Sequence, residues 1–149
     1  MSADDAAGLL RFHHTLSPET THSRFFSVHP ELSAAELHRF THVDHDEREA
    51  IVATVAGEIV GVARFDRLGG GGDAEVAFVV ADSFQGRGIG TLLFDRLAER
   101  AREVGVSRFV ADTLPHNRRM LAVFHHAELP METVFRDGVV HVAIDLAGR

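Results

Sequence analysis

The stretch that most constrains the fold is VAFVVADSFQGRGIGTLLFDRLAERARE, residues 76–103. Val76–Ala81 is a short apolar run rich in β-branched residues and reads as a strand. From Ile89 onward the apolar residues return at helical spacing, with Ile89, Leu92, Leu93, Leu97, Ala101 and Val104 expected on one face. Between strand and helix, FQGRGIG (Phe84–Gly90) holds three glycines, a glutamine and an arginine. The first N–H groups of a helix lack internal partners and point outward, and the helix dipole adds partial positive charge there. A glycine-rich turn lets an anion approach that backbone closely. Arg87 adds a full charge. The natural ligand is a diphosphate.

The rest of the chain narrows the class. Its 149 residues suit one domain, 1–149, and a hydrophobic fraction of 45% allows a sizeable core. No apolar run reaches about 18 residues, so no membrane span is expected. The start, MSADDAAGLLRFHH, is acidic and lacks the apolar core of a signal peptide, which makes the cytoplasm the expected location. There are no cysteines, which removes disulfides and thiolate chemistry, and no tyrosine or tryptophan. Net charge is −7 with no long basic run, so nucleic acid is not an expected partner. Eleven histidines are scattered without a metalloprotease pattern. His38 and His42 have i, i+4 spacing and His45 follows, but solvated surface histidines are the better reading, and no metal is expected.

Three helix starts open the chain: Ser2–Asp5, Ser17-Pro18, and Ser33–Glu36 with Leu32 and Leu37 at the staple positions. The first has Ala6, Leu9 and Leu10 inward, with His13 beside them. Glu49–Val55, a turn at Ala56–Glu58, and Ile59–Phe65 read as a β-hairpin. LGGGGD (Leu68–Asp73) lacks the helix start and Lys-Ser/Thr pair of a P-loop and reads as a flexible hairpin tip. Ala74–Ala81 is a strand, and Gly105 suits the end of the helix that follows. Ser107–Leu114 is a strand, and Asn117 can cap a helix with Met120, Leu121 and Phe124 inward. METVFR, the turn Asp137-Gly138, and VVHVAIDL form a second hairpin. The fold class is α/β (α+β): a mixed, mostly antiparallel sheet flanked by helices.

The turn fails two known phosphate patterns. No Lys-Ser/Thr follows it, and after Gly86 and Gly88 the sixth position is Thr91 rather than Gly or Ala. It does match Gln-x-x-Gly-x-Gly, as Gln85, Gly88 and Gly90. With its preceding strand it resembles the pyrophosphate loop of the GCN5-related N-acetyltransferases (GNAT), and the element order is similar over nearly the whole chain. The resemblance implies acetyl-CoA as cosubstrate. It implies that Gln85, Gly86, Arg87, Gly88, Ile89, Gly90 and Thr91 hold the pyrophosphate. Backbone groups of Phe78, Val79 and Val80 would pair with the pantetheine arm as another strand would. Asn117 resembles an asparagine that contacts the cofactor arm, a role compatible with its reading as a helix cap. Arg118 and Arg119 could meet the adenosine 3′-phosphate, but exposed helix charges are the better reading.

LSPE, RFF and LHRFTHVD (within residues 16–44) carry a narrower resemblance to the bacterial Pat-like protein lysine acetyltransferases. It implies a protein substrate, an acyl-CoA synthetase. The chain departs from the family in three ways. The strand that usually precedes the first helix is not expected here, because the helix begins almost at Met1. The expectation is a sheet one strand short, or an edge covered by a partner or another terminus, and strand-edge pairing into a homodimer is one such arrangement. The tyrosine that many members use as proton donor is absent, with Phe124 near its place. Within these 149 residues the fused regulatory domain that such enzymes often carry is not expected.

A lysine ammonium has a pKa near 10.4 and must lose a proton before attacking a thioester. Glu75 is the one acid in Ala74–Ala81, and alternation puts it on the face of Ala77 and Val79, opposite Val76, Phe78 and Val80. The resemblance also places a catalytic glutamate here, which makes Glu75 the expected general base. The bland reading is a strand start in solvent. Asp82 reads as structural. An acetyltransferase for a small amine and a non-catalytic acyl-CoA sensor remain the alternatives.

Overall fold

The computed structural model describes residues 1–15, 41, 43–45, 48–69, 71–85, 88–115 and 118–146. The expected helices at Ser17 and Ser33 lie outside these residues. A single 3-10 turn, Ala3–Asp5, leads into α1, Ala6–Thr15. The Ser2 N–H donates to the Asp5 carboxylate at 2.7 Å, which anchors that start. Then come β1 (Arg48–Val55), β2 (Glu58–Arg67), β3 (Asp73–Val80), α2 (Ile89–Glu103), β4 (Arg108–Thr113), α3 (Arg118–His126), β5 (Met131–Arg136) and β6 (Val139–Asp145).

The strands form one six-stranded sheet in the order β1-β2-β3-β4-β6-β5. Every neighbouring pair is antiparallel except β3–β4, which is parallel. Both hairpins turn through two positive-φ residues, Ala56-Gly57 and Asp137-Gly138, the backbone that matches strand twist. Among the described residues no strand precedes α1. β1 is an edge, and the Met1 ammonium donates to its Ala50 carbonyl at 2.9 Å.

The two faces bury different sets. One carries Phe65, Val76, Val80, Phe109, Val142 and Ile144 against Leu93, Phe94, Leu97, Ala98 and Ala101 of α2 and Met120 and Phe124 of α3. Phe65, Phe109, Phe94, Phe124 and Phe78 form a continuous chain of ring contacts with centroids 5.6–6.0 Å apart. Each such pair adds about 0.5–1.5 kcal/mol beyond its buried area. The other face carries Val60, Val62 and Ala81 under Leu9 and Phe12 of α1. Two expectations are corrected here. Leu92 is 56% exposed, because the buried stripe of α2 is centred on Leu93, Phe94 and Leu97, and Leu92 falls one step off it. Phe12, not Ala6, completes the buried face of α1.

Glu49 ties α2 to β1. Its side chain, 6% exposed, receives Arg100 Nε at 3.0 Å and lies 2.7 Å from His45 Nδ1. Burial pushes its carboxyl up. Hydrogen bonds from His45, Arg100 and the Ala50 N–H outweigh that and hold it below the ordinary glutamate value.

Candidate active site

The parallel pair β3–β4 is in register for only three rungs: Asp73↔Arg108, Ala74↔Phe109 and Glu75↔Val110. Beyond Glu75 the two strands part, and the sheet opens a wedge between Val76–Val80 and Ala111–Thr113. At the closed end Arg108 grips Asp73 through Nη2 at 2.6 Å and Nε at 3.1 Å. The Arg108 guanidinium holds the Asp73 carboxyl below its ordinary range. The N–H groups of Ser107 and Arg108 both reach the Gly72 carbonyl. The open end faces the C-terminal ends of both strands, where ligands of parallel sheets gather.

Backbone alternation decides what the wedge offers. The Ala81 N–H donates to Val60 O, and the Leu68 N–H to Asp73 O. In an antiparallel ladder the residues that bond one neighbour alternate with those that face away. Hence Asp73, Glu75, Ala77 and Val79 bond β2, whereas Phe78 and Val80 turn their peptide groups into the wedge. Of the three residues expected to meet a pantetheine arm, Val79 has its own peptide groups committed to β2. The Val80 carbonyl is occupied by the Gln85 side-chain amide at 3.0 Å, which also donates to Asp82 Oδ1 at 3.3 Å. The Gln85 side chain thus folds back to fix the turn, and Asp82 helps hold it.

The glycine turn stands at the open mouth. Gly88 adopts φ 82° as the N-cap of α2, and no side chain caps that end. The first intrahelical bond runs from the Leu92 N–H to Gly88 O, which leaves the N–H groups of Ile89, Gly90 and Thr91 without partners inside the helix. The first turn carries no acid. A Cβ on Gly88 would meet nothing within 4 Å, so the ground before it is open to a ligand; one on Gly90 would sit 3.2 Å from Val123 Cγ2 and 3.6 Å from Phe78. Gly90 therefore brings α2 close to α3 and β3. Gly86, Arg87 and Asn117, and the side chains of Arg118 and Arg119, lie outside the described residues.

Glu75 sits at the last rung, the apex of the wedge, and its side chain is exposed. Its face is that of Ala77 and Val79, the α1 face of the sheet. Its neighbour across β2 is Asp66, which pairs with Arg48 at 3.6 Å. Phe124, expected from the resemblance to stand near the place of a tyrosine, is 1% exposed and packed edge-on to both Phe78 and Phe94. Of the histidines first weighed as metal ligands, His38 and His42 lie outside the described residues, and His45 is engaged by Glu49. Among the described residues no helix is long and apolar enough to cross a membrane.

One pair escaped the sequence reading. Asp112 of β4 and His141 of β6 stand opposite each other, with Nδ1 2.6 Å from Oδ1. Period-two alternation within Arg108–Thr113 already put Asp112 on the face of Val110. Only the strand register brings His141 to it.

A model of the Acetyltransferase (GNAT) family matches residues 9–127. Acetyltransferase Pat of Mycolicibacterium smegmatis is 41% identical over 107 residues, covering 70% of this chain and 32% of that protein. An acetyltransferase of Pseudomonas aeruginosa is 33% identical over 114 residues, covering 74% of this chain and 61% of that one. The chain thus spans about a third and about three fifths of the length of these two relatives. Its structure is similar to the GNAT domain of S. lividans PAT, with TM-score 0.90 and 42% identity over 97% of this chain and 87% of that one. The yncA protein of Salmonella typhimurium, solved with acetyl-CoA, shares the fold at TM-score 0.76 and 17% identity, covering 100% of this chain and 92% of that one.

Proposed function

Since the chain belongs to the GNAT acetyltransferase family, we propose that it is an acetyl-CoA-dependent N-acetyltransferase acting on a lysine of a protein, an acyl-CoA synthetase, with Glu75 as general base. The observation that carries this reading is the parallel ladder that stops at Glu75 beside a glycine turn whose helix N-terminus is open to solvent. The 41% sequence identity with an acetyltransferase named Pat agrees with the resemblance to the Pat-like enzymes, and it is that resemblance which implies the protein substrate.

The wedge fits the cosubstrate. The free N–H groups of Ile89, Gly90 and Thr91 suit a pyrophosphate at its mouth. The gap-facing peptide groups of Phe78 and Val80 can bond an amide-bearing arm along β3. From Val80 to Glu75 is five residues, roughly 16 Å at strand rise, so an arm anchored at the mouth delivers its end to the apex. Arg87, Gly86 and Asn117 complete the cofactor set in this reading.

Glu75 then takes a proton from the acceptor ammonium, directly or through water. The neutral nitrogen attacks the thioester carbonyl carbon, the new C–N bond forms, the C–S bond breaks, and the nitrogen releases its second proton to water. The departing thiolate is protonated from water, because buried Phe124 has no proton to give. General-base help of this kind contributes about 10²–10⁴ in rate.

Release of CoA thiol from acetyl-CoA tests the reading, with an intact acyl-CoA synthetase as acceptor beside a panel of free amines. The protein has no cysteine and adds no background to a thiol reagent. Release with the synthetase should fall about 10²–10⁴-fold in Glu75→Gln, with acetyl-CoA affinity retained. Release with free amines alone would move the acceptor to the small-molecule class. Binding without release to any acceptor would make the protein an acyl-CoA sensor. We further propose that two copies pair along the β1 edge; light scattering that shows a monomer at every concentration removes this part.

A further inference from the structure

The wedge has two lips, and Glu75 occupies only one. Paired residues on adjacent strands share a face of the sheet. The pairs Glu75↔Val110, Val110↔Ala143, Asp112↔His141 and Val134↔His141 therefore put Glu75, Asp112, His141 and Val134 together on the α1 face. Asp112 lies two residues beyond the last β3–β4 rung, so it stands on the β4 lip where the strands have already parted. Paired-strand spacing and rise would put it roughly 8 Å from Glu75, and the parting of the strands adds to that. The Asp112 and His141 side chains are 53% and 41% exposed, and their 2.6 Å contact holds both in a fixed place. The nearest cation on that face of β4, Arg108, is engaged by Asp73 at the closed end of the wedge. A carboxylate on each lip, one beside the reacting centre and one further out, is the chemistry that receives a cationic amine and suits a neutral nucleophile poorly.

We infer that Asp112, positioned by His141, is the acceptor-side carboxylate that draws the lysine ammonium into the wedge opposite Glu75. Glu75 removes the proton; Asp112 sets where the cation docks and selects for its charge. Val134, exposed beside His141, offers apolar surface for the chain flanking that lysine. The inference rests on the reading of the wedge as the acetyl-CoA cleft.

Steady-state kinetics of Asp112→Asn, Asp112→Glu, His141→Ala and His141→Gln, with thermal midpoints recorded for each, tests it. Asp112→Asn should raise the acceptor KM about tenfold while the acetyl-CoA KM stays within twofold. His141→Ala should do the same more weakly, because Asp112 is left but no longer held. Asp112→Glu and His141→Gln, which restore the charge and a hydrogen-bonding group, should recover part of the loss. A pair that merely joins β4 to β6 would lower the midpoint and leave the ratio of the two KM values alone, and that result overturns the inference. An unchanged acceptor KM in Asp112→Asn, or a change confined to acetyl-CoA, overturns it as well. Turnover that also survives Glu75→Gln would sink the base while leaving this role standing or falling on the KM split. No turnover by the wild type with any acceptor would overturn both readings.

Discussion

The glycines of the turn are there for different reasons, and alanine separates them. Gly88 has φ 82° and open space where a Cβ would go. Alanine there meets no atom but must hold a left-handed backbone, which costs roughly 1–2 kcal/mol. The loss of unfolded-chain entropy returns about 0.4–1 kcal/mol, so the net cost is about 1 kcal/mol. Gly90 is the reverse. It lies in the first turn of α2, where alanine gains about 0.5–1 kcal/mol over glycine. Its Cβ would come 3.2 Å from Val123 Cγ2, which must give by a few tenths of an ångström. The two effects nearly cancel, so Gly90→Ala should change stability by less than about 0.5 kcal/mol. For a chain of this length 1 kcal/mol is worth about 2–4 °C in Tm. Scanning calorimetry should therefore show Gly88→Ala melting about 2–4 °C lower than wild type, with Gly90→Ala close to it. Acetyl-CoA titration should order them the same way. The Gly88 variant puts a methyl group on the open ground before the helix mouth and binds several-fold more weakly. If Gly88→Ala melts with wild type while Gly90→Ala does not, the left-handed cap is not what the turn requires and this account of the motif is wrong.

Two further outcomes follow from the packing. The Glu49 carboxyl is held below the ordinary glutamate value, so its contribution to stability is present above that value, near 4.3, and is lost as pH falls through the lowered one. Arg100 is 36% exposed, so solvent screens the pair and its contribution is smaller than that of a fully buried one. Urea midpoints should fall in Glu49→Gln at pH 7 and converge with wild type towards pH 3; a constant gap across that range would contradict the assignment. Phe124→Tyr adds a hydroxyl inside a ring cluster where Phe124 is 1% exposed. Without a partner it should cost about 1–3 kcal/mol and bring no faster CoA release, and a faster, undestabilised variant would show that the site reaches α3 after all.

Local signals carried much of the fold. The Ala-Gly and Asp-Gly turns, the strand that runs into FQGRGIG and the glycine after α2 each follow from backbone preferences of a few residues. All appear within one or two residues of where the sequence puts them. The apolar face of α2 was nearly legible as well. It was misphased at Leu92 because Phe94, absent from the expected face, pulls the buried stripe round towards the aromatic chain. What no local pattern contains is register. Glu75 is legible as an isolated acid in an apolar strand. That it sits at the last rung of β3–β4 depends on Gly72, Asp73 and Arg108, which are up to 36 residues apart in sequence. The Asp112–His141 contact spans 29 residues and exists only because β4 and β6 pair in one register.

The wedge is a defect in the sheet, and the chain treats its two ends oppositely. At the closed end the bidentate Asp73–Arg108 pair and two N–H groups on the Gly72 carbonyl lock β3 against β4. A parallel ladder so fastened at one end would ordinarily zip on, since unpaired peptide groups on a half-buried strand are costly. Two features oppose that here. β4 is held by its other edge along all six rungs to β6, from Arg108↔Asp145 to Thr113↔Val140. β3 is held to β2 through Gly61↔Val80 and is underlain by α2 and α3 through Phe78 and Val80. Each strand thus follows its own half of the sheet, and the peptide groups of Phe78 and Val80 are left facing the gap. The Gln85 amide satisfies the outermost carbonyl, Val80 O, from the same turn that presents the helix N-terminus. The remaining groups need a partner with the spacing of a peptide chain. The gap-facing peptide groups of β3 and the affinity for an amide-bearing arm therefore share one origin. A change that closes the gap by extending the ladder past Glu75 should raise Tm and abolish cofactor binding together.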